Sequence, residues 1–235
     1  RERRRRRTAQ HRAPRRRERR AVTAPVRADL AAALCALEAR DLEVRARLAP
    51  DGSPFDGYAA EMEQVHHENA ARLRAIVDDV GWPGRALVGA AAASAAWLVV
   101  QHAIGDPAFM RAMLPRLLEA ARRGDADRAE VAKLEDRILA LEGRPQRYGT
   151  QYDWEPTLTA MTPINGVEDP GSVDARRAAV GLPPLAWRIP PPPGQPPPAD
   201  WHARQREQEA WARRAGWRDA PAAHQASPPA PARPR

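Results

Sequence analysis

Cysteine occurs once in this chain, at Cys35, which excludes a disulfide framework and a cysteine-based metal site. In the helical string Leu34-Cys35-Ala36-Leu37 the thiol reads as a small hydrophobe. Lysine also occurs once, at Lys133, against a large excess of arginine, a skew typical of a GC-rich, actinobacterial genome. No membrane-length apolar run is present. The longest, Ala86 to Val100, is interrupted by Gly89 and Ser94, is too short to span a bilayer and reads as a buried core helix. No apolar segment follows the basic start, so no secretory signal is expected and the reading is a cytoplasmic protein. There is no glycine-rich phosphate loop and no nucleophile elbow.

The charge is concentrated at one end. The chain carries a formal +8, yet residues 1–20 hold twelve Arg and two Glu, so the remainder is about −2. A basic domain surface for nucleic acid is therefore not expected, and only the Arg-rich arm could bind it. The expected organisation is an Arg-rich disordered arm over 1–23, a helical domain over 24–188, a Pro-rich linker over 189–200 and a Trp/Arg/Pro tail over 201–235.

Within the domain, apolar residues at spacings of three and four predict five helices. They fall at about Val26–Leu48, Asp56–Val80, Val88–Ile104, Pro107–Arg123 and Ala126–Glu142. Gly81-Trp82-Pro83-Gly84 stops the second, and Asp106 is placed to cap the fourth with Pro107 in its first turn. Pro115 predicts a kink or break in the fourth. Gln146–Asp153 and Thr157–Ile164 read as two short strands, Val173–Val180 as a short helix, and Trp201–Trp217 as a charged helix. The fold class is mainly α: an irregular bundle of about five helices, a small C-terminal β-hairpin and disordered tails.

Polar residues scattered through this apolar frame are the candidates for function. Asn69 stands in the stripe of the second helix where a leucine is expected, and Gln101-His102 closes the third. His102 offers acid/base chemistry, metal ligation or a core hydrogen bond. Asp136-Arg137 is either a flanking ion pair or, turned inward, an orienter for His102 and an anion clamp. Gln146-Arg147-Tyr148-Gly149-Thr150-Gln151 offers an amide, a phenol and a hydroxyl for a polar ligand, with Gly149 admitting close backbone approach. His66-His67-Glu68-Asn69 lacks the i, i+4 pair of the zinc-protease helix, so no metal site is expected there or elsewhere.

Taken in order, Asn69, Gly81-Trp82-Pro83, Gly89, Trp97, Gln101-His102, Asp136-Arg137, Gly143, Gln146 and Tyr148-Gly149-Thr150-Gln151 resemble a bacterial family catalogued as a domain of unknown function. Pro163-Ile164, Val173-Asp174, Arg176-Arg177 and Gly181-Leu182 continue the series, over about residues 56–187. The resemblance implies a mostly helical domain and no established activity, and the sequence leaves any cofactor unknown. Ile104 departs from it, standing where an acidic residue is expected.

The leading functional expectation is a pocket for a small polar ligand. Its catalytic residues would be His102, Asp136 and Arg137, and its ligand-binding residues Asn69, Trp82, Gln101, Gln146, Tyr148, Thr150 and Gln151. The alternative is a non-enzymatic interaction module. In it the same residues form a buried structural network, and the Pro/Trp-rich tail, including Trp201, Trp211 and Trp217, recruits a protein partner.

Overall fold

The structure is a computed structural model and describes residues 27–48 and 58–219. The Arg-rich arm lies outside the described residues. Seven α-helices and one two-stranded antiparallel sheet are found among them. The helices are α1 (Ala28–Leu48), α2 (Ala60–Val80), α3 (Arg85–His102), α4 (Pro107–Arg122), α5 (Arg128–Leu141), α6 (Val173–Ala179) and α7 (Trp201–Arg214). The strands are β1 (Tyr152–Trp154) and β2 (Met161–Pro163). The fold is mainly α, and no helix among the described residues is long and apolar enough to cross a membrane.

α3 is the hub and touches α1, α2, α4 and α5. Its run of alanines from Ala90 to Ala96 lets those neighbours approach closely, and Ala95, Ala96 and Val100 are completely buried. Leu34 of α1, Leu73 and Val77 of α2, Phe109, Met110 and Leu117 of α4 and Leu134 of α5 complete the core. The helix ends follow their local chemistry. Gly81 ends α2 at φ 75°, and Asp106 Oδ1 accepts from Phe109 N at 2.9 Å to cap α4. Gly89 interrupts α3 with φ 81°, a left-handed value that favours glycine, so the helix bends one turn after it begins.

Two expectations change. α4 runs unbroken through Pro115, whose ring sits on the exposed side, where the carbonyl it leaves unpaired can meet water. The first predicted strand is mostly not a strand. Only Tyr152–Trp154 pairs with Met161–Pro163, because the backbone N–H groups of Arg147, Tyr148 and Thr150 donate to the Asp136 carboxylate instead.

The segment after residue 190 returns to the bundle. Trp201 Nε1 donates to the Trp154 carbonyl at 2.9 Å, and Trp217, 3 % exposed, donates to the Ile104 carbonyl at 2.7 Å. Trp211 meets Tyr58 edge-on, with ring centres 5.8 Å apart. The three tryptophans expected to anchor a partner are thus all engaged within the chain.

Candidate functional site

Three helices bring four polar side chains together at the end of the bundle where α3 stops. α1 contributes Asp41 and, one turn later, Arg45; α2 contributes His66; the last residue of α3 is His102. Asp41 is the centre. It is 1 % exposed, and its Oδ2 lies 2.9 Å from His102 Nδ1 and 3.0 Å from His66 Nε2. Tyr58, just before α2, places its hydroxyl 2.8 Å from the other His66 nitrogen, Nδ1, and its ring stacks on the imidazole. The result is a continuous line of contacts, Tyr58–His66–Asp41–His102.

The line is incompletely satisfied. The His102–Asp41 contact is a hydrogen bond, whereas His66 Nε2 lies near the carboxylate but out of hydrogen-bond alignment. His66 Nε2, Asp41 Oδ1 and Arg45 Nε are all buried without a hydrogen-bond partner, and Arg45 Nε stands 3.9 Å from that oxygen. An unsatisfied buried polar group costs about 1–3 kcal/mol, so three at one spot are an expensive arrangement for stability alone.

Burial by itself would raise the Asp41 carboxyl. The hydrogen bond from His102 and the contact with His66 outweigh it and hold Asp41 well below the usual carboxylate range. Burial pushes His102 below its ordinary value against the pull of Asp41, so at neutral pH the ring is uncharged. Burial, then the negative charges of Glu63 and Asp41, push the Tyr58 phenol up, so it stays protonated.

A cavity of about 180 Å³ opens beside this line, and Arg45, Tyr58, Met62, His66, His102, Ile104 and Arg137 line it. His102 Nε2 has no partner among the described residues, so the ring can offer that atom to a ligand. The two arginines make the cavity cationic. Burial and the neighbouring Arg45 cation push Arg137 down to about 10, which still leaves it charged at neutral pH. Its Nε donates to Gln151 Oε1 at 3.0 Å, which steers the guanidinium from behind. A smaller cavity of about 20 Å³, enough for a single water, lies on the other side of Tyr58 and His66, next to Gly105 and Asp106.

The predicted site residues divide into two groups. His102 and Arg137 reach the cavity. Asp136 does not orient His102; that position belongs to Asp41. Asp136 is fully buried and accepts from Arg147 N (2.8 Å), Tyr148 N (3.0 Å), Thr150 N (2.9 Å) and Thr150 Oγ1 (2.9 Å). Gln146, also fully buried, knits the hairpin base by accepting from Gln151 N and donating to the Gln151 and Ile164 carbonyls, each at 2.8 Å. Asn69 donates to the Leu37 carbonyl at 3.0 Å and ties α2 to α1. Tyr148 is buried, and Trp82 Nε1 and Gln101 Oε1 are buried without a partner. None of Asn69, Trp82, Gln101, Gln146, Tyr148, Thr150 and Gln151 lines the cavity; Gln151 acts on it through Arg137.

Three residues of the site, Asp41, Arg45 and Tyr58, escaped the sequence reading as functional groups, and His66 was weighed there only within the string 66–69 and set aside. The signal for Asp41 was present. Leu34, Leu37, Asp41, Val44 and Leu48 run at spacings of three and four, so an acid occupies a core position just as Asn69 does in α2. Leu42, out of phase with that stripe, is 47 % exposed. His66 lies one turn after the buried Met62, and only the partner brought by α1 distinguishes it from exposed His67.

Asp41, His66 and His102 could also hold a metal ion, since one ligand atom from each lies within 4.8 Å of the others. The model of a family of unknown function, DUF6624, matches residues 28–190, which spans the bundle, the hairpin and α6 but stops short of α7. No curated protein and no solved structure matches the chain.

Proposed function

Since the chain belongs to the DUF6624 family, whose function is unknown, its activity has to be read from its own site, and we propose that this site binds a small anion and acts on it at His102. The observation that carries this is the convergence of Arg45, Arg137 and the uncharged His102 on one cavity of about 180 Å³. Two guanidinium groups recognise phosphate or carboxylate oxygens by paired hydrogen bonds, and partial exclusion of water strengthens both. The cavity's size suits a phosphate or a small carboxylate with its waters better than a nucleotide or a peptide.

In this reading His102 is the catalytic residue and Arg137 the anion clamp. Asp41 takes over the orienting role expected of Asp136. Asn69, Asp136, Gln146 and Thr150 are positioning residues: they fix α2 on α1 and the hairpin loop on α5, and through Gln151 they aim Arg137. The buried network supposed by the interaction-module alternative therefore supports a pocket instead of replacing it.

The test is calorimetric titration of the full chain with inorganic phosphate and a panel of small mono- and dicarboxylates. One of these is expected to bind with one site per chain. Arg137→Met is expected to weaken that binding at least tenfold, about 1.4 kcal/mol, without a large change in Tm. Absence of binding across the panel, or equal affinity in Arg137→Met, would overturn the reading.

A further inference from the structure

We propose that Asp41, His66 and His102 form the binding site of one first-row divalent transition-metal ion, whose open positions face the anion pocket. The inference deepens the pocket reading by naming what the anion would meet there.

The donor set comes first. Two imidazoles and one carboxylate suit zinc, iron and their neighbours, and a site with only three protein ligands leaves positions for water or substrate. The ligand atoms are already assembled. Asp41 Oδ2 stands 2.9 Å from His102 Nδ1 and 3.0 Å from His66 Nε2, and the set falls within 4.8 Å. Ligands bonded to one ion at about 2.0–2.2 Å stand about 3–4 Å apart, so both contacts to Asp41 already have ligand spacing, and the two imidazole nitrogens, within 4.8 Å of each other, have only to close on the ion.

The second observation is independent of that assembly. His66 is 4 % exposed and Asp41 1 % exposed, yet His66 Nε2 and Asp41 Oδ1 have no hydrogen-bond partner. Buried polar atoms are nearly always paired, and each exception calls for an explanation. A cation among the three side chains supplies it. His66 Nε2 would then direct its lone pair at the ion, whose charge would add to that of Arg45, 3.9 Å from the orphaned carboxylate oxygen.

The surroundings match a metal-bound histidine. Such a ring donates its other N–H to an acceptor that fixes its tautomer and orientation, and Tyr58 Oη lies 2.8 Å from His66 Nδ1 to serve. Tyr58 is itself held by the edge of Trp211. Binding needs both rings neutral at their ligating nitrogens, so His102 gives up the Nδ1 proton it now shares with Asp41 and keeps one on Nε2. The ion adds positive charge at the wall of a cavity that Arg45 and Arg137 already make attractive to anions, and one anion oxygen can enter an open position.

The experiment uses the full chain, stripped with a chelator and dialysed against zinc chloride and, separately, cobalt(II) chloride, with no phosphate or carboxylate present. Expected are about one zinc per chain by elemental analysis and, for cobalt, the visible bands of a nitrogen- and oxygen-ligated ion. His66→Gln and Asp41→Asn are expected to lower zinc affinity at least tenfold while keeping the wild-type circular dichroism. The exposed neighbour variant His67→Gln should bind as the wild type does. A stoichiometry well below one, or zinc binding unchanged in His66→Gln, would overturn the proposal. The cobalt spectrum is read on the unmutated chain, so the proposal stays testable even if a variant fails to fold. Anion titration of the chelator-stripped chain tests the pocket reading separately, so the two can fail independently.

Discussion

At the scale of single residues, the two buried aspartates have opposite relations to their surroundings. Asp136 has all its needs met: two oxygens, three backbone donors and a threonine hydroxyl. Asp41 keeps one oxygen unpaired in an equally buried place. The first pattern stabilises the fold, and the second leaves Oδ1 with an ion pair to Arg45 at 3.9 Å and no hydrogen bond. Asp136→Ala is therefore expected to cost about 3–5 kcal/mol, because it leaves several buried donors stranded at once. Asp41→Asn should cost less, about 1–2 kcal/mol, because it removes a charge that His102 and His66 favour but leaves an amide oxygen to accept from His102. Chemical denaturation of both variants checks the pair. A larger loss in Asp41→Asn than in Asp136→Ala would reverse the assignment of which aspartate is structural.

At the scale of elements, the helices were legible because their stripes are long. Stripes at spacings of three and four over 14 to 21 residues leave little ambiguity, and α1, α2, α4 and α5 end within a few residues of where the sequence places them. The hairpin was only half legible. Residues 146–151 alternate like a strand, but a carboxylate more than ten residues earlier captures their N–H groups, a contact that no local pattern contains. His102 and Arg137 were legible as chemistry, each standing beside an apolar stripe. Asp41 was legible only as an acid at a core position, and His66 less so, because each gains its partners only when α1 crosses α2 and α3. α7 makes the same point. Its helix was expected, but its docking was not, since the Trp217 contact with Ile104 spans more than a hundred residues. Trp217 also lies under the Arg111 guanidinium, 4.9 Å from its ring centre. Trp217→Ala is expected to cost about 3–5 kcal/mol, as for other buried tryptophans. Because Ile104 and, through Trp211, Tyr58 line the cavity, the same variant should also weaken anion binding. Paired Tm and titration measurements decide this, and an unchanged Tm would mean that the docking of Trp217 contributes nothing to the fold.

At the scale of the whole molecule, two regions have distinct tasks. The bundle core is alanine-rich and closely packed around α3, and it sets three helix ends in register. The polar network around Asp136, Gln146 and Gln151 holds the hairpin loop against α5 and, through Gln151, holds Arg137, which lines the cavity with Arg45. The site thus draws on α1, the approach to α2, α2 itself, α3 and α5, and only the complete fold assembles it. The measurement that bears most directly on this account is a crystal structure of the full chain grown with zinc chloride and sodium phosphate. The account predicts anomalous zinc density among Asp41, His66 and His102 and a phosphate between Arg45 and Arg137. An empty cavity at saturating concentrations of both, with the three side chains bonded only to one another, would contradict it.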